Sequence, residues 1–444
     1  MRRCDKRFLR TLKCVNYERR CHINTEKKLV TEDAQSLKKP RLSHAKAINI
    51  FFQENKEIRG IKQFIPSKYL ELKRKGTPDH LYLINPAIAK IIFSHLKSVL
   101  NSKSDQIICE TNAGLGLVAT ELLEYGIKLV RLYESCPEFR EGLKDFGEEY
   151  LGRVELFTKD LFNLNRYAYM DKHDQANRVE YLLKKCSEKE LEWRWVKVVS
   201  KPAMTVIGTM SKLSFIKYLL ESLILQNNII NYGRIQVFAI MKPRYYAVLA
   251  SSPEDNLDAY QGFSVLFKLL FDCELLEKFP RNMFLPWESP LRKTMQRFYP
   301  ANLEPDKMYL VKINFKKRIP LPAEKLIDLY FFIKQFYGRG SNRIIPTIEK
   351  WVPGCGVNII LPKLSHNDYF DDMDIFTQFR ELNPKQILAV FKEMINYPAY
   401  VGSPFTAMVE SELLKLETIE TSLSEAKPIE TNIAEEIEEK LKTK

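Results

Sequence analysis

The sequence predicts an α/β protein: a doubly wound, mainly parallel sheet with a smaller all-helical domain on its C-terminal side. Three observations predict it. Apolar runs of strand length alternate with helix-period stretches between about residues 106 and 315, the pattern of repeated βαβ units. A glycine turn, Gly114-Leu115-Gly116, separates the first of these strands from its helix. From Pro320 onward helical patterns follow one another without strands.

The elements are expected in this order. A helix from Ala87 to Leu100 has Pro86 at its first position, where the missing N–H costs nothing. Gln106 to Cys109 is a short, mostly apolar strand. The glycines then let the backbone turn sharply and approach a ligand without Cβ atoms in the way. Leu117 to Tyr125 carries Leu117, Val118 and Leu122 at helical spacing and stops at Gly126. Lys128 to Tyr133, Val154 to Phe157, Met204 to Gly208 and Arg234 to Met241 are the next strands. Helices near Pro137 to Phe146, Lys212 to Leu225, around Tyr245, and Gly262 to Phe271 separate or follow them, and Glu274 to Phe279 with Tyr309 to Phe315 form a last hairpin. Asn165 to Lys201, charged and carrying Trp193 and Trp195, reads as an insertion over the sheet edge. The C-terminal helices are expected at Ala323 to Tyr337, Arg343 to Trp351, Asp371 to Phe379 and Pro384 to Ile395.

At 444 residues the chain is long enough for two domains and tails. Four segments are expected: 1–49, a transit peptide and disordered basic segment; 50–318, the α/β domain with a basic extension and an insertion near 165–201; 319–410, the helical domain; and 411–444, an acidic, disordered tail. The net charge of +13 favours a polyanionic partner. No apolar run approaches the length of a membrane-spanning helix, and no membrane partner is expected. Eight cysteines without a Cys-x-x-Cys pair suit a reducing compartment, and with six dispersed histidines they predict no metal site.

The head is basic. Arg2, Arg3, Lys6, Arg7, Arg10 and Lys13 face only Asp5 among acids in the first fifteen residues, and Phe8, Leu9 and Leu12 can share one helical side. A mitochondrial transit peptide has this composition. So do a nucleic-acid-binding arm and a nuclear signal, and Lys38 to Arg41 fits the last. A second basic stretch, Arg59 to Lys75, has Phe64 and Tyr69 interleaved and ends in Lys73, Arg74 and Lys75; it reads as a phosphate-tracking surface or as a solvated helix face. Lys334, Arg339 and Arg343 recur across one turn of the helical domain, as a phosphate-contacting patch or a helix-end charge cluster.

The candidate ligand site is built on acids at strand ends. Glu110 ends the first strand, and Glu134 ends the second, about 20 residues after the glycines, where nucleotide-binding α/β folds place an acid on ribose hydroxyls. Glu110-Thr-Asn112-Ala-Gly114-Leu-Gly116 lacks the third glycine of dinucleotide binders and the Lys-Ser/Thr of a P-loop. It resembles the cofactor turn of class I S-adenosylmethionine methyltransferases. With Tyr133-Glu134-Ser135, Lys159-Asp160-Leu-Phe162 and Val206-Ile207-Gly208, it identifies the stretch from Leu81 to Trp351 as similar to the rRNA adenine N6,N6-dimethyltransferases. Tyr232-Gly-Arg-Ile235, Pro286-Trp287 and Phe332 to Arg339 look like the mitochondrial branch of that family.

The resemblance implies a class I methyltransferase-like fold that binds S-adenosyl-L-methionine through Asn85, Glu110, Asn112, Gly114, Gly116, Glu134 and Asp160. It also implies departures. Active members follow Val-Ile-Gly with Asn-Leu-Pro-Phe/Tyr, where the Asn accepts the adenine amino protons and the ring stacks on the flipped base. Here Thr209, Met210, Ser211 and Lys212 stand in those places, so Thr209 is a degenerate catalytic position. Asn112 and Ala113 replace the usual Gly-Pro, and Asn85 stands where Asp is frequent. Methyltransferase activity is therefore expected to be weak or lost, and the cofactor site vestigial. The resemblance implies a monomeric transcription initiation factor of the mitochondrial matrix nucleoid. Its partners would be the mitochondrial RNA polymerase, promoter DNA and the mitochondrial HMG-box transcription factor. Lys73, Arg74, Lys75, Lys334, Arg339 and Arg343 would lie on nucleic acid. The other readings are a working dimethyltransferase of mitochondrial small-subunit rRNA and a basic RNA-binding protein with an inactive methyltransferase fold.

Overall fold

The computed structural model describes residues 43–72, 79–100, 107–183, 202–226, 233–255, 259–288, 303–337, 341–360 and 373–421. The chain divides into two units, 1–54 and 55–444. In the first, the helix His44–Glu54 carries Ile48, Phe51 and Phe52 at the i, i+3, i+4 spacing of one helical side.

The second unit is built on a seven-stranded sheet. Its described strands, in chain order, are β1 (Tyr82–Leu83), β2 (Ile107–Thr111), β3 (Val130–Tyr133), β4 (Val154–Phe157), β5 (Met204–Met210), β6 (Ile235–Met241), β7 (Phe271–Pro280), β8 (Phe284–Leu285) and β9 (Lys307–Phe315). The large sheet runs β4-β3-β2-β5-β6-β9-β7, while β1 and β8 form a separate two-stranded ladder. β2 to β6 pair in parallel, and β9 runs antiparallel between β6 and β7. Every residue of β2, β3, β5 and β6 is buried, as expected for parallel strands covered on both faces.

Alternation along the strands divides the interior into two cores. Cys109, Val206, Val237 and Val311 face one; Ile108, Ile207, Phe238 and Leu310 face the other. The second core is closed by the helices Pro86–Lys97, Leu117–Glu124 and Pro137–Glu149. The first is closed by Ser214–Leu225, Pro243–Ala250 and Gly262–Leu270. It also takes buried side chains from Ala323–Tyr337, Ile344–Trp351, Cys355–Ile360, Pro384–Asn396 and Pro404–Thr421.

The strands lie close to where the sequence places them, and the Glu274–Phe279 and Tyr309–Phe315 runs pair antiparallel as expected. Three local expectations change. Among its described residues, the stretch read as a helix from Asp371 to Phe379 is a turn. Asp374 holds it by accepting from the amides of Phe376 and Thr377, each at 2.8 Å; such side-chain bonding competes with helix. The helix Pro404–Thr421 runs into the stretch read as an acidic tail, with Phe405 and Val409 buried. His80 to Asn85, read only as the lead into a helix, contains β1. Of the insertion read at Asn165 to Lys201, the helices Leu164–Asp174 and Arg178–Leu183 are described; Trp193 and Trp195 lie outside the described residues.

Strand order reverses between β2 and β5, which makes their carboxyl ends the switch point where open α/β sheets bind ligands. Gly208 sits opposite Thr111 there. A Cβ on Gly208 would stand 2.2 Å from the Thr111 carbonyl oxygen, a backbone atom that cannot move aside. Gly208→Ala is expected to destabilise by about 4 kcal/mol or more, or to prevent folding. Gly142, on the exposed side of its helix with open space around it, offers the contrast. Gly142→Ala is expected to stabilise by about 0.5–1 kcal/mol. Urea unfolding of both variants checks the pair.

Candidate functional site: a closed cofactor cleft

The site forms where β2, β3 and β5 end. After β2, Asn112, Gly114 and Gly116 all take the left-handed conformation, with φ of 56°, 55° and 67°. Gly116 then opens the helix Leu117–Glu124, so the turn stands at a positive helix end.

Glu134 is fully buried and holds this turn. Its Oε2 accepts from the Gly114 amide at 2.9 Å. Its Oε1 accepts from the Cys136 amide at 2.7 Å and from the Tyr82 hydroxyl at 3.0 Å. Burial raises the Glu134 pKa, and these three donors oppose that rise. Asp160 is engaged in the same manner. Its Oδ1 accepts from the Thr111 hydroxyl at 2.8 Å and the Phe162 amide at 2.9 Å, and its Oδ2 from Asn163 Nδ2 at 2.9 Å. His80 Nδ1 lies 3.5 Å from Oδ2.

Glu110 and Asn112 differ from these acids. Glu110 faces the Ala119 amide in the first helical turn, yet its Oε2 is buried and lacks a partner. The Oδ1 of Asn112 is likewise buried and unpartnered, while its Nδ2 donates to the Thr209 carbonyl at 3.2 Å. Both side chains line a cavity with Leu83, Leu117, Gly208 and Thr209. Its volume of about 20 Å³ holds about one water molecule. Complete burial, with Glu134 nearby, pushes the Glu110 carboxyl up to about 8.

Thr209 is buried, and its hydroxyl donates to the carbonyl of Leu81. Lys212 turns outward, 3.7 Å from Asp79, with both side chains well exposed. Its charge therefore stands at the rim. Asn85 caps the helix Pro86–Lys97, accepting from the amides of Ala87 and Ile88 at 2.8 and 3.2 Å. Its Nδ2 contacts Met283 Sδ at 3.4 Å.

The structure thus brings Glu110, Asn112, Gly114, Gly116, Glu134, Asp160 and Thr209 together at one switch point. Lys334 is elsewhere, in the last turn of Ala323–Tyr337, 3.4 Å from Glu412 Oε2. Arg343 precedes the helix Ile344–Trp351 and lies over the Phe376 ring at 4.9 Å. Lys73, Arg74, Lys75 and Arg339 lie outside the described residues. Sequence reading missed Thr111 and the contacts of His80, Leu81 and Tyr82. One signal was available: a tyrosine in an apolar run needs a buried partner for its hydroxyl.

A parallel sheet with this order and one antiparallel strand, a left-handed glycine turn, and acids after β3 and β4 define a class I S-adenosylmethionine methyltransferase scaffold. No family profile matches the sequence. The chain is 33% identical over 387 residues to the mitochondrial dimethyladenosine transferase 2 of Drosophila melanogaster, covering 80% of this chain and 84% of that protein. It is 25% identical over 261 residues to the human protein of the same name, covering 57% and 64%. Among solved structures, an rRNA methylase from Streptococcus thermophilus aligns with 51% of this chain and 95% of its own at 12% identity and a TM-score of 0.25. The chain belongs to the mitochondrial dimethyladenosine transferase 2 family.

The Glu110 carboxyl gives a pH prediction. Its folded pKa, about 8, lies above its ordinary value of 4.5, so the folded state binds the extra proton between these values. That contribution is complete below pH 4.5 and is lost as pH rises through about 8. Glu110→Gln cannot titrate. The unfolding free energy of the wild type relative to this variant is expected to fall by up to about 1.4 kcal/mol per pH unit across that window, then level off. Urea titrations at several pH values measure it; a flat difference contradicts it.

Proposed function

We propose that this chain is a mitochondrial transcription initiation factor, built on a dimethyladenosine transferase scaffold whose target-adenine site is closed. It would work in the matrix nucleoid with the mitochondrial RNA polymerase and the mitochondrial HMG-box transcription factor, helping to melt promoter DNA. The observation that carries this reading is the commitment of the catalytic-loop position. Thr209, where the family's asparagine would accept adenine amino protons, is buried with its hydroxyl on the Leu81 carbonyl. Lys212, where an aromatic ring would stack on the base, stands at the rim beside Asp79. An ammonium there cannot stack as an aryl ring does. The net charge of +13 supports a polyanionic partner, and the names of the relatives support a mitochondrial address.

The scaffold's cofactor is S-adenosylmethionine, and the donor set fits it. Glu134 and Asp160 stand at the strand ends that would take ribose and adenine. The orphaned oxygens of Glu110 and Asn112 suit the ammonium of the methionine portion. When bound, the cofactor supplies an electrophilic methyl group. The chain's own residues would orient it through these groups. This retained set favours the second reading, an rRNA adenine dimethyltransferase acting on mitochondrial small-subunit rRNA. The two readings separate at the catalytic loop.

Transcription factor activity makes a measurable demand on the basic residues. Neutralising Lys334, Arg339 and Arg343 together is expected to lower promoter affinity and to reduce the salt slope by about one per lost phosphate contact. Run-off transcription with the mitochondrial polymerase should fall on closed linear templates. It should recover on templates already melted at the start site, where the opening cost is absent. Equal yields from the variant and the wild type on closed templates would contradict this role for the three residues.

A further inference from the structure

The insertion after β4 carries a surface that neither the cofactor cleft nor the basic residues of the transcription reading use. A single turn, Leu161–Asn163, separates its helix Leu164–Asp174 from Asp160. Leu164 is buried in the core and Tyr167 packs against that core, which fixes the side of the helix that faces inward. Arg166, Tyr169 and His173 lie at i, i+3 and i+7 on the other side, with Lys172 at their flank, and all four are exposed. The Tyr169 and His173 rings stand together, their centroids 4.1 Å apart and their planes at 60°. Lys159, past the end of β4, lies over the Tyr167 ring at 5.9 Å and brings a further cation to the start of the helix.

The acids of this helix are engaged elsewhere. Asp171 and Asp174 both accept from Arg178 Nη1, at 2.9 and 2.7 Å, and Asp171 also accepts from the Val179 amide at 2.8 Å. They tie the helix to its successor, Arg178–Leu183. The outward stripe is left with two cations and two rings and no acid: Arg166, Tyr169, Lys172 and His173. A helix face that only meets water ordinarily mixes acids with bases. Cations and an exposed ring along one stripe suit a single strand, because cations meet phosphates and a ring face takes an unpaired base.

We propose that the outward stripe of Leu164–Asp174 binds a single strand of nucleic acid, with Arg166 and Lys172 on phosphates and an unpaired base stacked on Tyr169. The His173 ring stands against Tyr169 and holds its plane. A duplex offers the same phosphates but no free base face, so Tyr169 contributes to the single strand alone. This surface shares a nucleic-acid partner with the transcription reading, and uses neither its basic residues nor the polymerase.

The test uses the full-length chain and oligonucleotides of about 12 residues, as single-stranded DNA, single-stranded RNA and duplex DNA, with fluorescence anisotropy as the readout. Tyr169→Ala is expected to weaken single-strand binding about tenfold and to leave duplex binding unchanged, while Tyr169→Phe, which keeps the ring, stays within about twofold of the wild type. Arg166→Ala and Lys172→Ala are each expected to lower the single-strand salt slope by about 0.7. Lys144→Ala, which removes an exposed cation from the helix Pro137–Glu149, is expected to leave that slope unchanged. The DNA and RNA arms decide which strand is the ligand, by the tighter binding at equal salt. Irradiation of a strand carrying iodouracil supplies a second readout that needs no variant, and its crosslink is expected on Tyr169. Equal effects of Tyr169→Ala on single strand and duplex overturn the proposal. So do slopes for the two cation variants that match Lys144→Ala, or crosslinks confined to peptides outside 164–174. The assay holds no polymerase and reads no transcript, so a failure of this surface and a failure of the transcription reading would be seen in different experiments.

Discussion

The Glu134 carboxylate is the contact on which the site depends. It accepts from Gly114, Cys136 and Tyr82, which belong to the glycine turn, to its own strand end and to β1. A fully buried carboxylate requires such donors, because without them its desolvation opposes ionisation. The same three donors fix the shape of the cleft. The glycine turn is held against the end of β3, and β1 is held to the same carboxylate. Glu134 thus holds the turn from the strand end where nucleotide-binding α/β folds place an acid.

The sheet explains why this junction sits where it does. Parallel strands covered on both faces carry their ligand chemistry at carboxyl ends, and the strand reversal between β2 and β5 opens the only such gap beside the glycine turn among the described strands. Gly208 lets β5 approach β2 closely there, and Thr209 follows immediately. The scaffold therefore delivers residue 209 to the switch point at the end of β5 whatever its identity.

Much of the fold was legible because β2 to β6 are short apolar runs bounded by turns, and because the helices between them keep helical spacing. Glu110, Glu134 and Asp160 were legible as a set because strand ends can be counted from the glycine turn. β1 was not. Tyr82 and Leu83 pair only with Phe284 and Leu285, some 200 residues away, and a two-residue ladder leaves no periodicity to read. The turn at Asp374 escaped for a related reason: apolar spacing suggested a helix, and a side chain bonded to nearby amides won locally. The partner of Lys334, Glu412, belongs to a helix that the acidic composition of the C-terminal region concealed.

The central claim is that the target-adenine site is closed to catalysis while the scaffold serves transcription. Mass spectrometry of mitochondrial small-subunit rRNA incubated with the wild-type protein and saturating S-adenosylmethionine tests it most directly, with run-off yield from a closed promoter measured on the same preparation. The account predicts transcripts that depend on this protein and no N6,N6-dimethyladenosine above the level of a protein-free control. Stoichiometric dimethyladenosine from a preparation that leaves transcript yield unchanged would contradict it.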